Sequence, residues 1–450
     1  MPFNSLAFAL LLGSNRLLLE IRRIPAIWFL LVGSFFFYLS AGIVDLGAIA
    51  ISIIGNWFLR RLNHHPKLYL PLAVLINLVF LGFFKYRGFF GIENFVGGSF
   101  PNLVLPLGIS FYTFQMIAYH VDIVKKRTYP APSFKSFVLF AGFYPQLVAG
   151  PIVRAGHLLP QINRVIAQGF CQKNFVVFGL GLILLGMAKK VIMADSLGPV
   201  VDDIFFIGPD SIGQAWLGAI LFSFQIYFDF SGYSDIAVGA AYLLGFRIPF
   251  NFRTPYISTG PGEFWQRWHI TLSSWIRVFV YIPLGGSRGN KLRVVTVLIV
   301  TMIIAGLWHG ASFNFIVWGA AWGFYIVIGR ILQKLPIQFG PVQWVFHMGA
   351  VIVLWVFFRA VNLDEAFSYI GVMFDVGSGV GSVAVASWIV LGVISLFLLH
   401  WLESRLTSQQ ILWKLRKFNT RFNVALITGL IIGLLLIPTE SQNPFIYFRF

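Results

Sequence analysis

Residues 294–329 read VVTVLIVTMIIAGLWHGASFNFIVWGAAWGFYIVIG. Two apolar runs, 294–308 and 311–329, meet at one histidine, His309. A spanning helix needs about 20 largely apolar residues, so this stretch predicts two successive membrane helices with an ionisable group at their join. Further apolar runs lie at 26–43, 45–59, 68–84, 102–121, 135–150, 174–193, 212–230, 231–246, 268–284, 342–360, 383–402 and 422–438. Some are too short or too polar to cross fully. Residues 102–121 contain Pro106, Gly108, Gln115 and His120, and 135–160 contain Pro145, Gln146, Gly150 and Pro151. Broken backbone survives at membrane depth only where protein or a cavity surrounds it. The predicted fold class is an all-α polytopic membrane protein of about eleven transmembrane helices plus re-entrant or interfacial helices. It forms a single domain over 1–450, with a motif-bearing core at 101–330.

Composition agrees. Of 450 residues, 58% are hydrophobic and 11% charged, against about half and a quarter in a soluble domain. A cytosolic enzyme, a disordered protein and a β-rich secreted domain are excluded. Lys and Arg number 33 against 16 Asp and Glu, a net charge of +17. Most of the basic residues lie between apolar runs, which points to cytoplasmic loops against anionic lipid and not to nucleic acid. The single cysteine, Cys171, allows no intramolecular disulfide and has no zinc-ligand spacing around it. Pro2 to Leu12 lacks a basic n-region and reads as a short first helix. The basic stretches Arg16–Arg23, Arg60–Lys67, Lys125–Lys135 and Arg405–Arg421 are expected inside. The acidic stretches Asp195–Asp210 and Val361–Ser382, and the terminal Phe450, are expected outside.

No Walker loop, HExxH, GxSxG or GxGxxG is present. Polar groups concentrate instead between Tyr227 and Gly319: Asp229, Asp235, Arg253, Glu263, Arg267, His269, Arg277, Arg288 and His309. Intramembrane ionisable groups are costly and usually face a cavity or a partner. His309, between Trp308 and Gly310, reads either as a general base or as a histidine satisfied by a carbonyl at a helix junction. His269, four residues before Ser273 on one helical face, reads either as a second active-site group or as an interfacial histidine among belt tryptophans. Arg267, Arg277, Arg288, Lys291 and Arg293 surround a Pro-Leu-Gly-Gly turn, suited either to anchoring or to docking donor phosphates. Asp229 and Asp235 are expected to pair with Arg253 or Arg267. Ala237, Ala241 and Gly245 form a small-residue packing face. His64 and His65 lie in a basic loop, His157, His347 and His400 read as single histidines without convergent partners, and His120 near Asp122 stays open. No third ligand accompanies His269 and His309, so no metal is expected.

The stretches LPLGISFYTFQMIAY, YPQLVAGPIVRAGHLLPQI, FDFSGYSDIAVG, NFRTPYIS, FWQRWHITLSSWIR, YIPLGGSRGN, GLWHGASFNFIVWG and FIYFRF, in this order, resemble the membrane-bound O-acyltransferase family. The likeness extends over most of residues 30–450 and is nearest to the bacterial branch that O-acetylates alginate, peptidoglycan and cellulose. It implies a ring of helices around a central catalytic funnel, an essential His309 in the WHG motif and a second functional histidine, His269, in the RWH motif. Trp308, Arg267, Arg277, Arg288, Ser273 and Asn314 are the accompanying candidates for binding donor or substrate. It implies acetyl-CoA or a carrier-protein thioester as acyl donor, no permanently bound cofactor, a bacterial inner-membrane location in membrane lipid, and a periplasmic SGNH-type O-acetyltransferase or acetyl-acceptor protein as partner. Alternatives are D-alanyl transfer from a carrier protein to teichoic acid, a non-catalytic transporter, and a scaffold. The sequence departs from the family in a shorter N-terminus and in the apolar Val294, Val295 and Val297, where relatives often place an Asn near the donor entrance.

Overall fold

The computed structural model describes residues 2–21, 24–89, 105–147, 150–168, 175–332, 340–378, 387–406, 421–436 and 445. Cys171, most of the basic stretch 405–421 and the ending after Phe445 lie outside the described residues. The helices are α1 Leu6–Leu18, α2 Ala26–Leu39, α3 Ile43–Leu59, α4 Pro66–Lys85, α5 Ile109–Val124, α6 Phe134–Gly142, α7 Ala155–Gln168, α8 Val176–Met187, α9 Asp195–Ile207 and α10 Ile212–Leu243. They continue with α11 Pro261–Arg267, α12 Ile270–Ile276, α13 Lys291–His309, α14 Phe313–Leu332, α15 Pro341–Arg359, α16 Leu363–Phe374, α17 Ser387–Leu406 and α18 Arg421–Leu435. Among the described residues there is no strand, in line with the predicted all-α class.

Among the described residues, six helical segments are long and apolar enough to cross a membrane: Ile43–His64, Pro66–Lys85, Val176–Ile207, Lys291–His309, Phe313–Leu332 and Pro341–Arg359. Large apolar side chains on them are exposed, among them Ile51, Val79, Phe324 and Val345. Water would penalise such surfaces and hydrocarbon does not. The chain is a multi-pass membrane protein.

Three of the expected runs have a different form. Residues 212–230 and 231–246, read as separate helices, are one 32-residue helix, α10, about 48 Å long at 1.5 Å per residue. The polar segment SGYSD, at the join of the two expected runs, continues the helix, and at least one of its polar groups is held by a residue distant in sequence. Tyr233 donates to Asn4 Oδ1 at 3.0 Å. Run 268–284 is instead interrupted: α11 ends at Arg267, His269 takes a left-handed backbone, α12 follows, and Arg277–Tyr281 widens into a π-helix.

The chain divides into two compact units. The first comprises 1–187, 233–250 and 412–437. Here the ring of His120 on α5 lies 2.7 Å by Nε2 from Asn56 Oδ1 on α3 and 2.5 Å by Nδ1 from the Tyr69 hydroxyl on α4. His120 therefore does not pair with Asp122, which holds Arg154 through two bonds of 3.0 and 2.5 Å. Of the expected small-residue face, Ala237 and Ala241 are buried on α10, while Gly245 lies beyond its end with φ 86°. The close approach to Gly179 of α8 is made by Gly239, which is not on that face.

The second unit comprises 188–232, 251–411 and 438–450. Its centre is the α13–α14 hairpin. Gly306, Gly319 and Gly323 let the helices touch backbone to backbone: a Cβ on Gly306 would run into the Phe315 carbonyl, one on Gly319 into the Met302 carbonyl, and one on Gly323 would stand 2.8 Å from Ile299 Cα. Close helix contact through small residues is how membrane helices gain packing without a hydrophobic driving force. The hairpin turn falls at His309, the last residue of α13.

Candidate functional site

His309 ends α13 because Gly310 turns extended, with φ −164°. A Cβ at Gly310 would collide with the Phe315 ring, so the turn has no room for a larger residue. The imidazole is 4% exposed and lies among Trp308 (4.9 Å between ring centres), Trp318 (5.1 Å) and Phe358 (5.1 Å), with Phe315 at 6.4 Å.

His269 is fully buried and has φ 41°, ψ 55°. A non-glycine residue in this region is strained by about 1–3 kcal/mol and stays there only when its surroundings over-determine it. Two backbone bonds across the NFRTPY segment do so: Arg253 N donates to Arg267 O at 2.9 Å, and Ile270 N donates to Asn251 O at 2.9 Å. The Asn251 side-chain oxygen also accepts from the Thr271 hydroxyl at 2.6 Å. The break between α11 and α12 is thus clamped on both sides of His269. The ring packs edge-on to Phe230 at 4.7 Å, near-parallel to Phe252 at 6.5 Å, and against Trp308 at 6.0 Å. Trp308 touches both histidine rings, at 6.0 and 4.9 Å, so their centres are no more than about 11 Å apart.

The structure therefore brings together His269, His309 and Trp308. Asn314 is buried nearby on α14, where its amide donates to the Ala360 carbonyl at 2.8 Å. Ser273 does not share a helical face with His269, because His269 precedes the helix. Its hydroxyl donates to Trp268 O at 3.1 Å. Arg267 pairs with Glu263 at 2.8 Å, while Arg277, Arg288, Lys291 and Arg293 are exposed. Burial pushes the Glu263 carboxyl up, but hydrogen bonds from the Thr259 N–H and the Arg267 guanidinium outweigh it and hold the group below its ordinary value.

Asp229 pairs with Lys190, at 2.7 Å, and not with Arg253 or Arg267 as the sequence suggested. Lys190 also reaches Asp195 at 2.7 Å, and Lys189 pairs with Glu403 at 2.7 Å. Both lysines stand on a π-helical turn, Ala188–Ala194. Sequence reasoning missed this pair, although two lysines inside the apolar run 174–193 were a signal. Three histidines read as single have partners: His157 Nε2 lies 2.9 Å from the Arg247 carbonyl oxygen, and the other two are His400 and His347. His400 accepts from the Tyr256 N–H at 3.1 Å and lies 3.4 Å from Glu403. His347 bridges Ser258 (2.9 Å) and Tyr325 (2.7 Å). The Ser258 hydroxyl donates to Pro255 O at 2.6 Å, so His347 donates to Ser258 and accepts from Tyr325, a locked structural bridge. Among the described residues no group of three His, Cys, Asp or Glu side chains converges to hold a metal ion.

Comparison with known proteins bears on this arrangement. The profile of MBOAT, the membrane-bound O-acyltransferase family, matches residues 125–372, which include both histidines. The chain is 39% identical over 368 residues to the probable alginate O-acetylase AlgI of Azotobacter vinelandii, covering 77% of this chain and 72% of that protein. It is 35% identical over 382 residues to the peptidoglycan O-acetyltransferase of Helicobacter pylori, covering 76% and 72%. A teichoic acid D-alanyltransferase of Streptococcus thermophilus is 30% identical over 253 residues, covering 53% and 59%.

Proposed function

The chain belongs to the membrane-bound O-acyltransferase family, and from that premise we propose that it O-acetylates an extracellular polysaccharide by passing an acetyl group across the bacterial inner membrane. The observation that carries this reading is the pairing of a buried histidine at a hairpin tip with a second one on a strained break, both against Trp308. The likeness to two O-acetyl-transferring relatives over three quarters of the chain supports acetyl over D-alanyl transfer.

In this reading the donor is a cytoplasmic thioester, acetyl-CoA or an acetylated carrier protein. About eleven crossings ring a central funnel in one domain, and the exposed Arg277, Arg288, Lys291 and Arg293 meet the donor's charged end. The acceptor is a hydroxyl on a periplasmic partner, an SGNH-type O-acetyltransferase or an acetyl-acceptor protein. His309 takes the proton of that hydroxyl as its oxygen attacks the thioester carbonyl. The carbon–oxygen bond forms, the carbonyl pair moves onto oxygen, and a ring N–H of His269 donates to the oxyanion. The oxyanion collapses, the carbon–sulfur bond breaks, and the thiolate takes the proton back from His309. Acetyl has then moved from sulfur to oxygen with no net proton change. General-base help contributes about 10²–10⁴-fold and an oxyanion donor about 10²–10³-fold. A thioester is already activated, so these two groups suffice chemically.

The test is free-thiol release from acetyl-CoA by the purified chain in detergent, with and without candidate acceptor proteins. Wild type should release thiol and transfer acetyl, and His309→Ala, folded and membrane-inserted, should not. Retained activity in His309→Ala defeats the assignment. No release with any acceptor rejects acetyl-CoA and turns the test to carrier-protein thioesters. A transporter, by contrast, would produce no thiol.

A further inference from the structure

We propose that Lys190 is a positioning residue for His269, acting through Asp229 and Phe230. The inference rests on the reading of His269 as oxyanion donor. The strained backbone fixes where the His269 ring starts, and the rings packed on it limit where it can point. Two of those rings, Phe230 and Phe252, touch each other at 5.0 Å, and Phe230 meets the imidazole edge-on at 4.7 Å. Phe230 is the residue after Asp229 on α10. The angle at which α10 presents Phe230 is therefore the angle at which Asp229 is held.

Asp229 is held by a forked cation. Lys190 Nζ lies 2.7 Å from Asp229 Oδ1 and 2.7 Å from Asp195 Oδ1, and the Lys190 and Asp229 side chains are 2% and 3% exposed. A second tie acts on the same turn of α10: the Tyr227 hydroxyl donates to Glu403 Oε2 at 2.7 Å, while Glu403 Oε1 holds Lys189 at 2.7 Å. Consecutive lysines on one helix serve two separate carboxylate sites here, and they stand on a π-helical turn. Such turns cost hydrogen-bond geometry and occur frequently at functional sites.

Buried charges are a poor way to stabilise a fold. Desolvation offsets most of their attraction, and apolar residues of similar volume often do as well or better. Their best-attested use is to fix a register. The register fixed here is that of the α10 turn carrying Phe230.

Removing Lys190 alone would strand two buried carboxylates, so the test neutralises the set. The full-length chain carrying Lys190→Met, Asp195→Asn and Asp229→Asn is compared with Phe230→Leu, with both combined, and with His309→Ala, in the thiol-release assay. Amount and monodispersity are measured in parallel. The triple variant should accumulate as wild type and lose about 10- to 100-fold in kcat, as expected for a catalytic group misplaced by up to about 1 Å. Its KM for the donor should stay within about twofold, a split that general destabilisation does not produce. Phe230→Leu should show the same split, and the combination should be no worse than either, because both act through one wall.

Full kcat in the triple variant overturns the proposal, and so do losses that multiply in the combination. If the triple variant does not accumulate, Lys190→Met with Asp229→Asn, which keeps the less buried carboxylate Asp195, decides: a kcat loss at unchanged KM supports the proposal, and full kcat overturns it. Activity retained in His309→Ala would instead overturn the enzymatic reading. A dead His309→Ala beside a fully active triple variant removes only the positioning role.

Discussion

Gly306→Ala tests whether the hairpin is what places His309. A Cβ at position 306 would meet the Phe315 carbonyl oxygen well inside contact distance and stand 3.0 Å from Phe315 C and 3.3 Å from Gly319 Cα, where ordinary contacts begin near 3.4 Å. All three obstacles are backbone, so no side chain can rotate away. α13 has to part from α14 by about 1 Å to restore normal separations. Overpacking of this kind costs about 1–3 kcal/mol, which a membrane-inserted hairpin can absorb. His309 is three residues further on, less than one turn, and moves with the helix. A displacement of about 1 Å at a catalytic group costs about 100-fold in rate. The expected result is a variant that accumulates in membranes, elutes as one species in detergent and turns over acetyl thioester about 100-fold more slowly. Gly55→Ala on α3 and Gly82→Ala on α4 are the controls, since nothing stands within 4 Å of a Cβ at either. Both should keep full activity and gain up to about 1 kcal/mol from helix propensity. A Gly306→Ala variant with wild-type kcat would refute the idea that glycine contact in the hairpin places His309.

Three further outcomes are expected. His269→Gly removes the strain of the positive φ as well as the imidazole, so it should accumulate at least as well as His269→Ala, while both lose about 10²–10³-fold in kcat; a difference in kcat between the two would assign the backbone, not the ring, to catalysis. Tyr325→Phe leaves His347 Nδ1 without its donor, which should cost about 1–3 kcal/mol and lower the thermal midpoint in detergent without changing turnover; lost turnover would place the Ser258–His347–Tyr325 bridge in the chemistry. Glu263 has its folded pKa held down, so its contribution is present above the ordinary glutamate range and lost as pH falls through the lowered folded value. The stability difference between wild type and Glu263→Gln, no more than about 1 kcal/mol for so exposed a pair, should vanish at low pH; a difference that grows on acidification would contradict the sign.

The membrane fold was legible because hydrophobic periodicity is a property of single segments. What single segments do not carry is who answers a polar group. The segment 231–235 looked like the end of a helix because its partners, such as Asn4 for Tyr233, are more than 200 residues away in sequence. The same blindness sent Asp229 to the nearest arginines, whereas its partner is Lys190 on a π-helical turn. It also made His347 and His400 look isolated, since Ser258, Tyr325, Tyr256 and Glu403 converge on them only in the folded chain. His309 was visible because its signal is local, a histidine between Trp308 and Gly310 at the join of two apolar runs. His269 was found, but its left-handed backbone was not, since nothing near it is a glycine and the strain is imposed by Asn251 and Arg253.

Both histidines are buried behind aromatic rings, while of the arginines that looked like part of the same constellation Arg277 and Arg288 are exposed and Arg267 pairs with Glu263. This arrangement suits the chemistry proposed. Charge that develops on a thioester carbonyl is stabilised most by a donor already in place in a low-dielectric site. The same enclosure keeps water from competing with the acceptor hydroxyl for an activated acyl group. Charged side chains beside the histidines would work against both effects by drawing in water. Among the buried charges of the second unit, Asp229 is adjacent in sequence to Phe230, one of the rings packed on His269. Lys190 is shared there by Asp195 and Asp229 while Lys189 holds Glu403, and, as proposed, this fork acts on the site through Phe230. An enzyme that must hold a reactive thioester inside a membrane gains from this order: neutral rings next to the reacting atoms, ion pairs behind them, and basic residues only at the surface.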